Sequence, residues 1–307
     1  MRRKVSVVGA GKVGSTVAHI LALKHMADVV IVNRTVGTAQ GIALDIKQSL
    51  HIEDSDVNVI GTSDYGQMAG SDIVVVTAGA QRKEGMTRDD LLRVNSDIIG
   101  GVADEIKKNA PQSIVIVVTN PLDAMAQLTK ARTGFGRERV IGMAGALDSA
   151  RFGAFIGEEL GVSVNDIRPM VLGSHGDSMV AALSTTTVHG TPVAKLIEKE
   201  KLSKIVARTR DGGAEIIKLE GSSAYYAPAS AAVSMVDAIL NDRKRVIPCS
   251  VYLEGEYGIS GVFAGVPVML GKGGAEKVVE LALPEEEREA LADSAAKIKQ
   301  SMAQLKL

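Results

Sequence analysis

One histidine of this chain, His175, is placed to exchange a proton with a bound molecule. It lies in the run Gly173-Ser174-His175-Gly176, where the flanking glycines leave space beside the imidazole. Because an imidazole has an ordinary pKa of about 6.5, it can donate or accept a proton near neutral pH. The sequence contains five histidines, and we expect the others to be surface or structural residues. His175 is therefore the candidate proton donor and acceptor.

An aspartate and an arginine, Asp148 and Arg151, lie three positions apart near the start of a helix predicted at residues 149–160. Residues at this spacing share one helix face, so the two side chains are neighbours. Their role can be structural, with Asp148 as a helix cap and Arg151 as its ion-pair partner. With a histidine available, Asp148 can instead orient an imidazolium while Arg151 holds a carboxylate through paired hydrogen bonds.

Two further arginines, Arg82 and Arg88, lie in a loop that follows a predicted strand. Ligands of open α/β sheets bind at this end of the strands, and Gly79 and Gly85 are candidate hinges of a mobile lid. The two arginines can also be ordinary solvated charges. Asn120 ends another strand on the same edge, where it either contacts a ligand or caps the next helix. Together these residue types favour reduction of a 2-oxo acid, which needs a proton donor, a carbonyl-polarising cation and a carboxylate clamp.

A glycine-rich turn near the start of the chain has the spacing of a dinucleotide-binding loop. The run Gly9-Ala10-Gly11-Lys12-Val13-Gly14 fits G-x-G-x-x-G and lies between an apolar strand and a helix. Its glycines allow a tight turn and a close approach of the backbone to a pyrophosphate, which the helix N-terminus then faces. The motif predicts NAD or NADP as the cofactor.

The residue expected to bind the ribose, about 20 positions further on, is Asn33, and Arg34 and Thr35 follow it. An acidic residue there would bind the 2′-hydroxyl of NAD and repel the 2′-phosphate of NADP. A neutral Asn33 removes that repulsion, and Arg34 and Thr35 add phosphate donors. NADP(H) use is therefore a hypothesis. Its alternative is NAD(H), with Arg34 as a solvated loop residue.

The elements that must position these side chains alternate between strands and helices in the first half of the chain. Predicted strands cover residues 5–8, 28–32, 57–60, 73–77, 114–119 and 140–143. Predicted helices cover residues 13–25, 38–50, 89–109 and 122–132. This alternation is typical of βαβ units and predicts an α/β fold, with a Rossmann-type, doubly wound parallel sheet in a dinucleotide-binding domain at residues 1–143.

The second half of the chain mixes strands and helices. Later strands are predicted at residues 167–172, 179–188, 250–253 and 265–270. A helix-rich stretch covers residues 193–240, and a last helix begins near Pro284. This pattern predicts a C-terminal α+β substrate domain at residues 144–307, packed closely on the first domain.

Composition excludes several other classes of protein. The 307 residues are 46% hydrophobic, which suffices for a large core. The formal net charge of −1 gives no global field for nucleic acid or membrane binding, and no apolar run is long enough for a membrane span. The lone cysteine, Cys249, allows no intrachain disulfide, which favours the cytoplasm. We expect no metal site, because arginines and an imidazolium already supply the electrostatic role.

Five separated motifs, in order along essentially the whole chain, resemble the lactate/malate dehydrogenase family. They are the glycine turn at 9–14, the loop at 82–88, Val118-Thr119-Asn120-Pro121, Leu147-Asp148-Ser149-Ala150-Arg151-Phe152 and Gly173-Ser174-His175-Gly176-Asp177. The resemblance implies reversible hydride transfer between a 2-hydroxy acid and NAD(P), by a homodimer or homotetramer. The implied roles are His175 as proton donor and acceptor, Asp148 as its partner, Arg88 as carbonyl-polarising residue, Arg151 as carboxylate clamp, Asn120 as a contact of substrate and cofactor, and Asn95 and Val118 as nucleotide-site residues.

Position 82 separates the substrates within this family. Arg82 matches members that act on malate and oxaloacetate, whereas members that act on lactate generally carry glutamine. Oxaloacetate has a second carboxylate where pyruvate has a methyl, and burial of that charge without a partner would be costly. The resemblance thus implies malate and oxaloacetate as substrates. The family usually has an aspartate at the position of Asn33, so this departure leaves NAD and NADP open.

Three alternatives to this reading remain. A lactate or broader 2-hydroxy-acid dehydrogenase would have the same fold and the same proton donor. A nucleotide-dependent glycosidase could share the N-terminal fold, since similar fold does not fix function. A non-catalytic nucleotide-binding protein would need the glycine turn but not the set of arginines around His175.

Overall fold

Six parallel strands form the N-terminal part of one large sheet in the computed structural model, which describes residues 2–80 and 88–303, apart from the side chains of residues 88 and 89. They are β1 (Lys4–Val8), β2 (Asp28–Val32), β3 (Val59–Thr62), β4 (Ile73–Val76), β5 (Ile114–Val117) and β6 (Val140–Gly142). These runs are rich in Val and Ile because helices cover both faces of a parallel sheet. Their order, β3-β2-β1-β4-β5-β6, is that of a doubly wound sheet. The predicted α/β, Rossmann-type fold is confirmed.

Five α-helices accompany these strands within the described ranges. They are α1 (Lys12–Leu23), α2 (Val36–Ile52), α3 (Arg88–Asn109), α4 (Leu122–Thr133) and α5 (Ala144–Leu160). The first four lie where the sequence predicts helices, to within two residues at each end. The predicted start of α5 near residue 149 is wrong, because the helix begins at Ala144 with Met143 as its N-cap. This earlier start places Asp148 in the second turn.

The described C-terminal part contains eight more strands and three more helices. They are β7 (Ile167–Arg168), β8 (Val171–Gly173), β9 (Met179–Ala181), β10 (Thr187–Val188), β11 (Thr191–Pro192), α6 (Lys199–Glu220), α7 (Tyr226–Leu240), β12 (Arg245–Glu254), β13 (Ser260–Gly271), β14 (Gly274–Val278) and α8 (Glu285–Met302). The segments predicted as single strands at 167–172 and 179–188 each contain two strands. The two later strands are longer than predicted, and β11 and β14 are not predicted. A small antiparallel sheet contains β7, β10 and β11.

The large sheet continues across the predicted domain boundary between residues 143 and 144. Ser250 of β12 pairs antiparallel with Gly142 of β6, and β13, β8 and β9 follow in order, with β14 on β13. One hydrophobic core runs through both halves of the chain. A smaller cluster contains Phe152 of α5 and Leu202 of α6. The two predicted domains therefore share a sheet and a core.

The carboxyl ends of the parallel strands lie at one edge of the sheet and gather the candidate site. Gly9 follows β1, Asn33 follows β2 and Val118 follows β5. Ligands bind at this edge in open α/β sheets. The chain order of strands thus brings the glycine turn, the ribose position and the loop of Asn120 to the same edge.

Candidate active site

His175 and Asp148 form the centre of the site. Nδ1 of His175 lies 2.8 Å from Oδ2 of Asp148, and the two side chains are only 15% and 5% exposed. Because an ionised carboxylate can only accept a hydrogen bond, Nδ1 carries a proton and Nε2 is the atom left to exchange one with a bound molecule. A Cβ on neighbouring Gly176 would meet open space. The predicted contact between the two side chains is present.

Opposing effects set the proton affinity of His175. Burial favours the neutral imidazole, but the negative charge of Asp148 and its hydrogen bond favour the charged form. Arg151 lowers the pKa of His175, whereas Asp123 raises it. The net result is a pKa above the ordinary value for histidine. The imidazolium is therefore available as a proton donor near neutral pH.

Arg151 contacts the other oxygen of the same carboxylate. Its Nη1 lies 3.5 Å from Oδ1 of Asp148, and its side chain is 15% exposed. The Nε of Arg151 is buried without a hydrogen-bond partner among the described residues, so a ligand carboxylate would satisfy a donor that is otherwise unpaired. A Cβ on Gly212 of α6 would lie 3.2 Å from Cδ of Arg151. Since Asp148 lies inside α5, the alternative that it caps the helix is wrong.

Two buried residues of the site, Asp123 and Ser250, are missing from the sequence-based set. Oδ2 of Asp123 accepts the backbone N–H of His175 at 3.3 Å, and Oδ1 accepts the hydroxyl of Ser250 at 2.7 Å. Burial raises the pKa of Asp123 to about 6, although the hydrogen bond from Ser250 opposes this. Acidic residues are common in the first turn of a helix, because their charge interacts favourably with the positive end of the helix dipole. The sequence position of Asp123 therefore does not distinguish it from an ordinary residue of a helix start.

The glycine turn has the shape that a dinucleotide requires. Gly9 has a φ of +109°, and a Cβ there would lie 2.6 Å from the backbone nitrogen of Ala78. A Cβ on Gly14 would overlap the carbonyl oxygen of Gly9, whereas a Cβ on Gly11 would meet open space. α1 begins at Lys12 with no capping side chain and no acidic residue in its first turn. The residues present therefore fit the pyrophosphate of NAD(P).

Lys12 links this turn to the connection between α6 and α7. Its Nζ donates to Oγ of Ser222 at 2.9 Å and lies 3.6 Å from Oε1 of Glu220. The same ammonium lies 5.0 Å from the ring centroid of Tyr225. Val13, the next residue of the predicted set, packs against the hydrophobic core. In this turn Lys12 is thus the residue whose side chain reaches the C-terminal half.

Asn33 is bound to the glycine turn rather than free at the edge. Its Oδ1 accepts the N–H of Ala10 at 3.2 Å, and its Nδ2 donates to the carbonyl of Thr35 at 3.2 Å. Arg34 is exposed. Thr35 is the N-cap of α2 without a capping hydrogen bond from its side chain, and the first turn of α2 has no acidic residue. The run from Asn33 to Thr35 therefore presents no carboxylate to the adenosine ribose.

Asn95 connects two loops of the site. Its Nδ2 donates to the carbonyl of Asn120 at 2.6 Å and to that of Ala80 at 3.2 Å, while its Oδ1 accepts the N–H of Ala80 at 2.7 Å. The N-cap of α4 is Pro121, so the alternative that Asn120 caps this helix is wrong. Val118, nearly buried, lies at the end of β5 beside this loop. Asn95 thus connects the loop after β4 to the loop after β5, a role that the resemblance does not imply.

The side chains of two predicted site residues lie outside the described part of the chain. Arg82 lies outside the described residues, and Arg88 begins α3 while its side chain lies outside the description. Within the described ranges, no group of three or more His, Cys, Asp or Glu side chains is placed to hold a metal ion. No helix in that same part of the chain is long and apolar enough to cross a membrane.

Two models of one protein family together match nearly the whole chain. The model of the lactate/malate dehydrogenase NAD binding domain matches residues 3–142, and that of the lactate/malate dehydrogenase alpha/beta C-terminal domain matches residues 145–306. The chain belongs to the lactate/malate dehydrogenase family. Since both halves of the chain match this family, the glycosidase alternative is wrong.

Individual lactate/malate dehydrogenases are similar over the full length of the chain. The malate dehydrogenase of Roseiflexus sp. (strain RS-1) is 52% identical over 307 residues, which are 100% of this chain and 99% of the relative. The crystal structure of Cryptosporidium parvum malate dehydrogenase has a TM-score of 0.97 at 40% identity, with 100% and 99% of the two chains covered. The Cryptosporidium parvum lactate dehydrogenase, complexed with lactic acid and NAD, has a TM-score of 0.95 at 39% identity, with 99% and 98% covered.

Proposed function

We propose that the protein catalyses reversible hydride transfer between (S)-malate and oxaloacetate with NAD(P)(H). The observation that carries the proposal is the carboxylate shared at the centre of the site: Asp148 contacts His175 with one oxygen and Arg151 with the other. This arrangement puts a proton donor beside a carboxylate-binding cation. Identity of 52% to a malate dehydrogenase over the whole chain supports malate as the substrate.

The proton step belongs to His175. In the reducing direction, its imidazolium donates the Nε2 proton to the C2 carbonyl oxygen, which becomes the hydroxyl of malate. In the oxidising direction, the neutral imidazole accepts that proton. Asp148 holds the Nδ1 proton and favours the imidazolium. When bound, the nicotinamide supplies the hydride for reduction and accepts it in oxidation.

Three arginines divide the recognition of the substrate. Arg151 binds the C1 carboxylate through its guanidinium, of which the buried Nε has no partner among the described residues. Arg88 polarises the C2 carbonyl, and Arg82 binds the second carboxylate of oxaloacetate. These last two roles rest on the family motif in the loop at 82–88. A site with a third cation would favour a dicarboxylate over the monocarboxylate pyruvate.

We propose that the nucleotide site accepts NADPH as well as NADH. Gly9, Gly11 and Gly14 would hold the pyrophosphate, with Ala10 and Lys12 between them. Asn33, at the position expected to bind the ribose, carries an amide and no negative charge, and exposed Arg34 can pair with a 2′-phosphate. Asn95, Val118 and Asn120 would border the nicotinamide half of the cofactor.

The test is a crossed assay of the purified protein with two substrates and two cofactors. Oxidation of NADH and of NADPH is followed by absorbance with oxaloacetate and, separately, with pyruvate. We expect kcat/KM to be highest with oxaloacetate and similar, within about tenfold, for the two cofactors. A preference for pyruvate would make the protein a lactate or broader 2-hydroxy-acid dehydrogenase. A large preference for NADH would overturn the cofactor proposal, and no oxidation at all would favour a non-catalytic binding protein.

We also propose that the active form is a homodimer or homotetramer in the cytoplasm. Apolar side chains are exposed on α2, with Leu44 58% and Ile52 81% exposed, and such surface favours self-association. The sequence has a single cysteine, Cys249, and so no intrachain disulfide, which favours a reducing compartment. Sedimentation analysis of the purified protein tests the assembly, and a monomer at working concentration would contradict it.

A further inference from the structure

The loop that carries His175 is tied to the rest of the protein on two sides. On one side, the N–H of Ser174 donates to Oγ of Ser294 in α8 at 2.9 Å, and the hydroxyls of Ser174 and Ser178 lie 2.7 Å apart. On the other side, the N–H of His175 itself donates to Asp123. The serine contacts fix the flanks of the loop, whereas Asp123 contacts the residue that bears the imidazole.

The carboxylate of Asp123 is also hydrogen-bonded to a residue of the large sheet. It lies in the first turn of α4 and is only 7% exposed, and its second oxygen accepts the hydroxyl of Ser250, which is fully buried on β12. The carboxylate therefore bridges a central strand of the sheet and the backbone of His175. Because α4 follows directly on Asn120 and Pro121, the same helix start connects His175 to the loop of Asn120.

We propose that Asp123 is a positioning residue for proton transfer, which holds the backbone of His175 and supplies a second negative charge to its imidazolium. The inference rests on the role proposed above for His175. The first effect uses a hydrogen-bond acceptor, and the second uses a charge, so suitable substitutions can separate them. Asp148 is hydrogen-bonded to the ring of His175, whereas Asp123 is hydrogen-bonded to its main chain and acts on the ring through charge alone.

The charged groups around Asp123 come from two elements, the loop of His175 and α5. His175 faces it from the loop, Asp148 from α5 raises the pKa of Asp123, and Arg151 of α5 acts on His175 in turn. Burial raises the pKa of Asp123 to about 6, so above that pH it carries the charge that favours the imidazolium. A neutral residue at position 123 would lower the pKa of His175.

The experiment compares Asp123→Asn and Asp123→Leu with the intact protein in oxaloacetate reduction across pH. Asparagine keeps an acceptor for the N–H of His175 but lacks the charge, whereas leucine lacks both. For Asp123→Asn we expect the falling limb of kcat/KM to move to lower pH by about half a unit or more, with kcat at low pH within about threefold of the intact protein. For Asp123→Leu we expect kcat to fall by about tenfold or more at every pH.

Asp104→Asn, an exposed change on α3, is the matched control and should leave the profile unchanged. A spectroscopic measurement supports the assay: the imidazole resonances of His175, assigned with His175→Asn, should titrate at lower pH in Asp123→Asn. This titration needs neither turnover nor the leucine variant. It also separates the inference from the proposed function, which fails if the intact protein reduces neither keto acid. An unchanged His175 titration in folded Asp123→Asn, with an unchanged pH profile, would overturn the inference.

Discussion

The side chain of Asn95 is hydrogen-bonded to the backbone of Ala80 in both directions. Its oxygen accepts the N–H of Ala80 at 2.7 Å, and its nitrogen donates to the carbonyl of Ala80 at 3.2 Å. The same nitrogen donates to Asn120 at 2.6 Å, and Asn95 is 1% exposed. Asn95 of α3 thus fixes Ala80, in the loop after β4, relative to Asn120, in the loop after β5.

Replacement of Asn95 by leucine should destabilise the protein, because two backbone groups of Ala80 and the carbonyl of Asn120 lose a buried partner. We expect the free energy of unfolding to fall by about 3 kcal/mol or more, measured by urea denaturation. Asn109→Leu is the control on the same helix, since among the described residues the side chain of Asn109 bonds to Glu105 of α3 alone. Equal losses in the two variants would contradict the tying role of Asn95.

Arg82→Gln should change the substrate preference of the protein. Without a countercharge for its second carboxylate, oxaloacetate should lose about 30-fold or more in kcat/KM, while pyruvate gains relative to it. Steady-state kinetics with both keto acids measures this shift. Arg93→Gln, an exposed change on α3, serves as the control for lost positive charge. The interpretation of Arg82 is wrong if the ratio of the two substrates does not move.

The pH profiles of the two directions should have opposite slopes, with midpoints set by the pKa of His175. Asp148 holds that pKa above the ordinary value for histidine, and reduction needs the charged imidazole. Hence kcat/KM for oxaloacetate should fall as pH rises through this pKa, and kcat/KM for malate should rise. Asp148→Asn removes the charge and should move both limbs to lower pH, by about one unit or more.

A matched control for that change exists on the surface. Asp166 lies 3.9 Å from His189, and the two side chains are 53% and 91% exposed. Asp166→Asn removes the same charge beside a different histidine, so both limbs should stay where they are. If Asp148→Asn also leaves them in place, another group sets the profile.

Asn33→Asp should restrict the protein to NADH. An aspartate can still accept the N–H of Ala10, but its charge would repel the 2′-phosphate of NADPH. We expect kcat/KM for NADPH to fall by about 30-fold or more, with that for NADH retained. Arg34→Gln should weaken NADPH binding alone, by about tenfold. Lys47→Gln, an exposed change further along α2, is the control. Equal effects on both cofactors would refute the proposed phosphate contact.

Titration of the Asp123 carboxyl should lower the free energy of unfolding as pH rises. Folding raises its pKa from 3.8 to about 6, so the folded state binds the proton more tightly and loses this advantage as pH rises through that range. Relative to the intact protein, Asp123→Asn should gain up to about 3 kcal/mol of unfolding free energy between pH 4 and pH 7. Urea denaturation at several pH values measures the difference.

The control for this measurement is Asp104→Asn, for which stability relative to the intact protein should change with pH in the opposite direction. Asp104 has a pKa lowered by its hydrogen bond to Arg132, so it stabilises the folded state at higher pH. Asp104→Asn should therefore lose stability relative to the intact protein as pH rises from acid. A flat difference for Asp123→Asn would show that its carboxyl titrates at the same pH in the folded and unfolded chains.

Local patterns in the sequence predict the parallel half of the fold well. Runs such as Ile73–Val76 and Ile114–Val117 are apolar throughout, as strands covered on both faces must be. The glycines of the nucleotide turn are spaced by steric needs that act within a few residues. His175 is identifiable for the same reason, because its neighbours in sequence are its neighbours in space.

The features of the fold and the site that the sequence does not predict depend on contacts between residues that are distant in sequence. The carboxylate of Asp123 accepts a hydrogen bond from Ser250, which lies 127 residues away. No local sequence pattern connects these two residues. β12 includes Pro248, opposite Pro267 of β13, and a proline weakens any strand prediction because it cannot donate to the ladder. α5 begins with Ala144 after Met143, without a capping side chain. Here tertiary packing, rather than local propensity, sets the boundary.

The pairing of Gly142 with Ser250 has a consequence for how the chain is made. During synthesis, β6 leaves the ribosome about 100 residues before the strand that covers its open edge. At about 5–20 residues per second, that edge stays unpaired for about 5–20 seconds. A bare strand edge of this kind recruits other strands. The nascent first half is therefore open to aggregation at this edge. Substitutions that delay folding of the second half should lower the yield of the protein before they alter its activity.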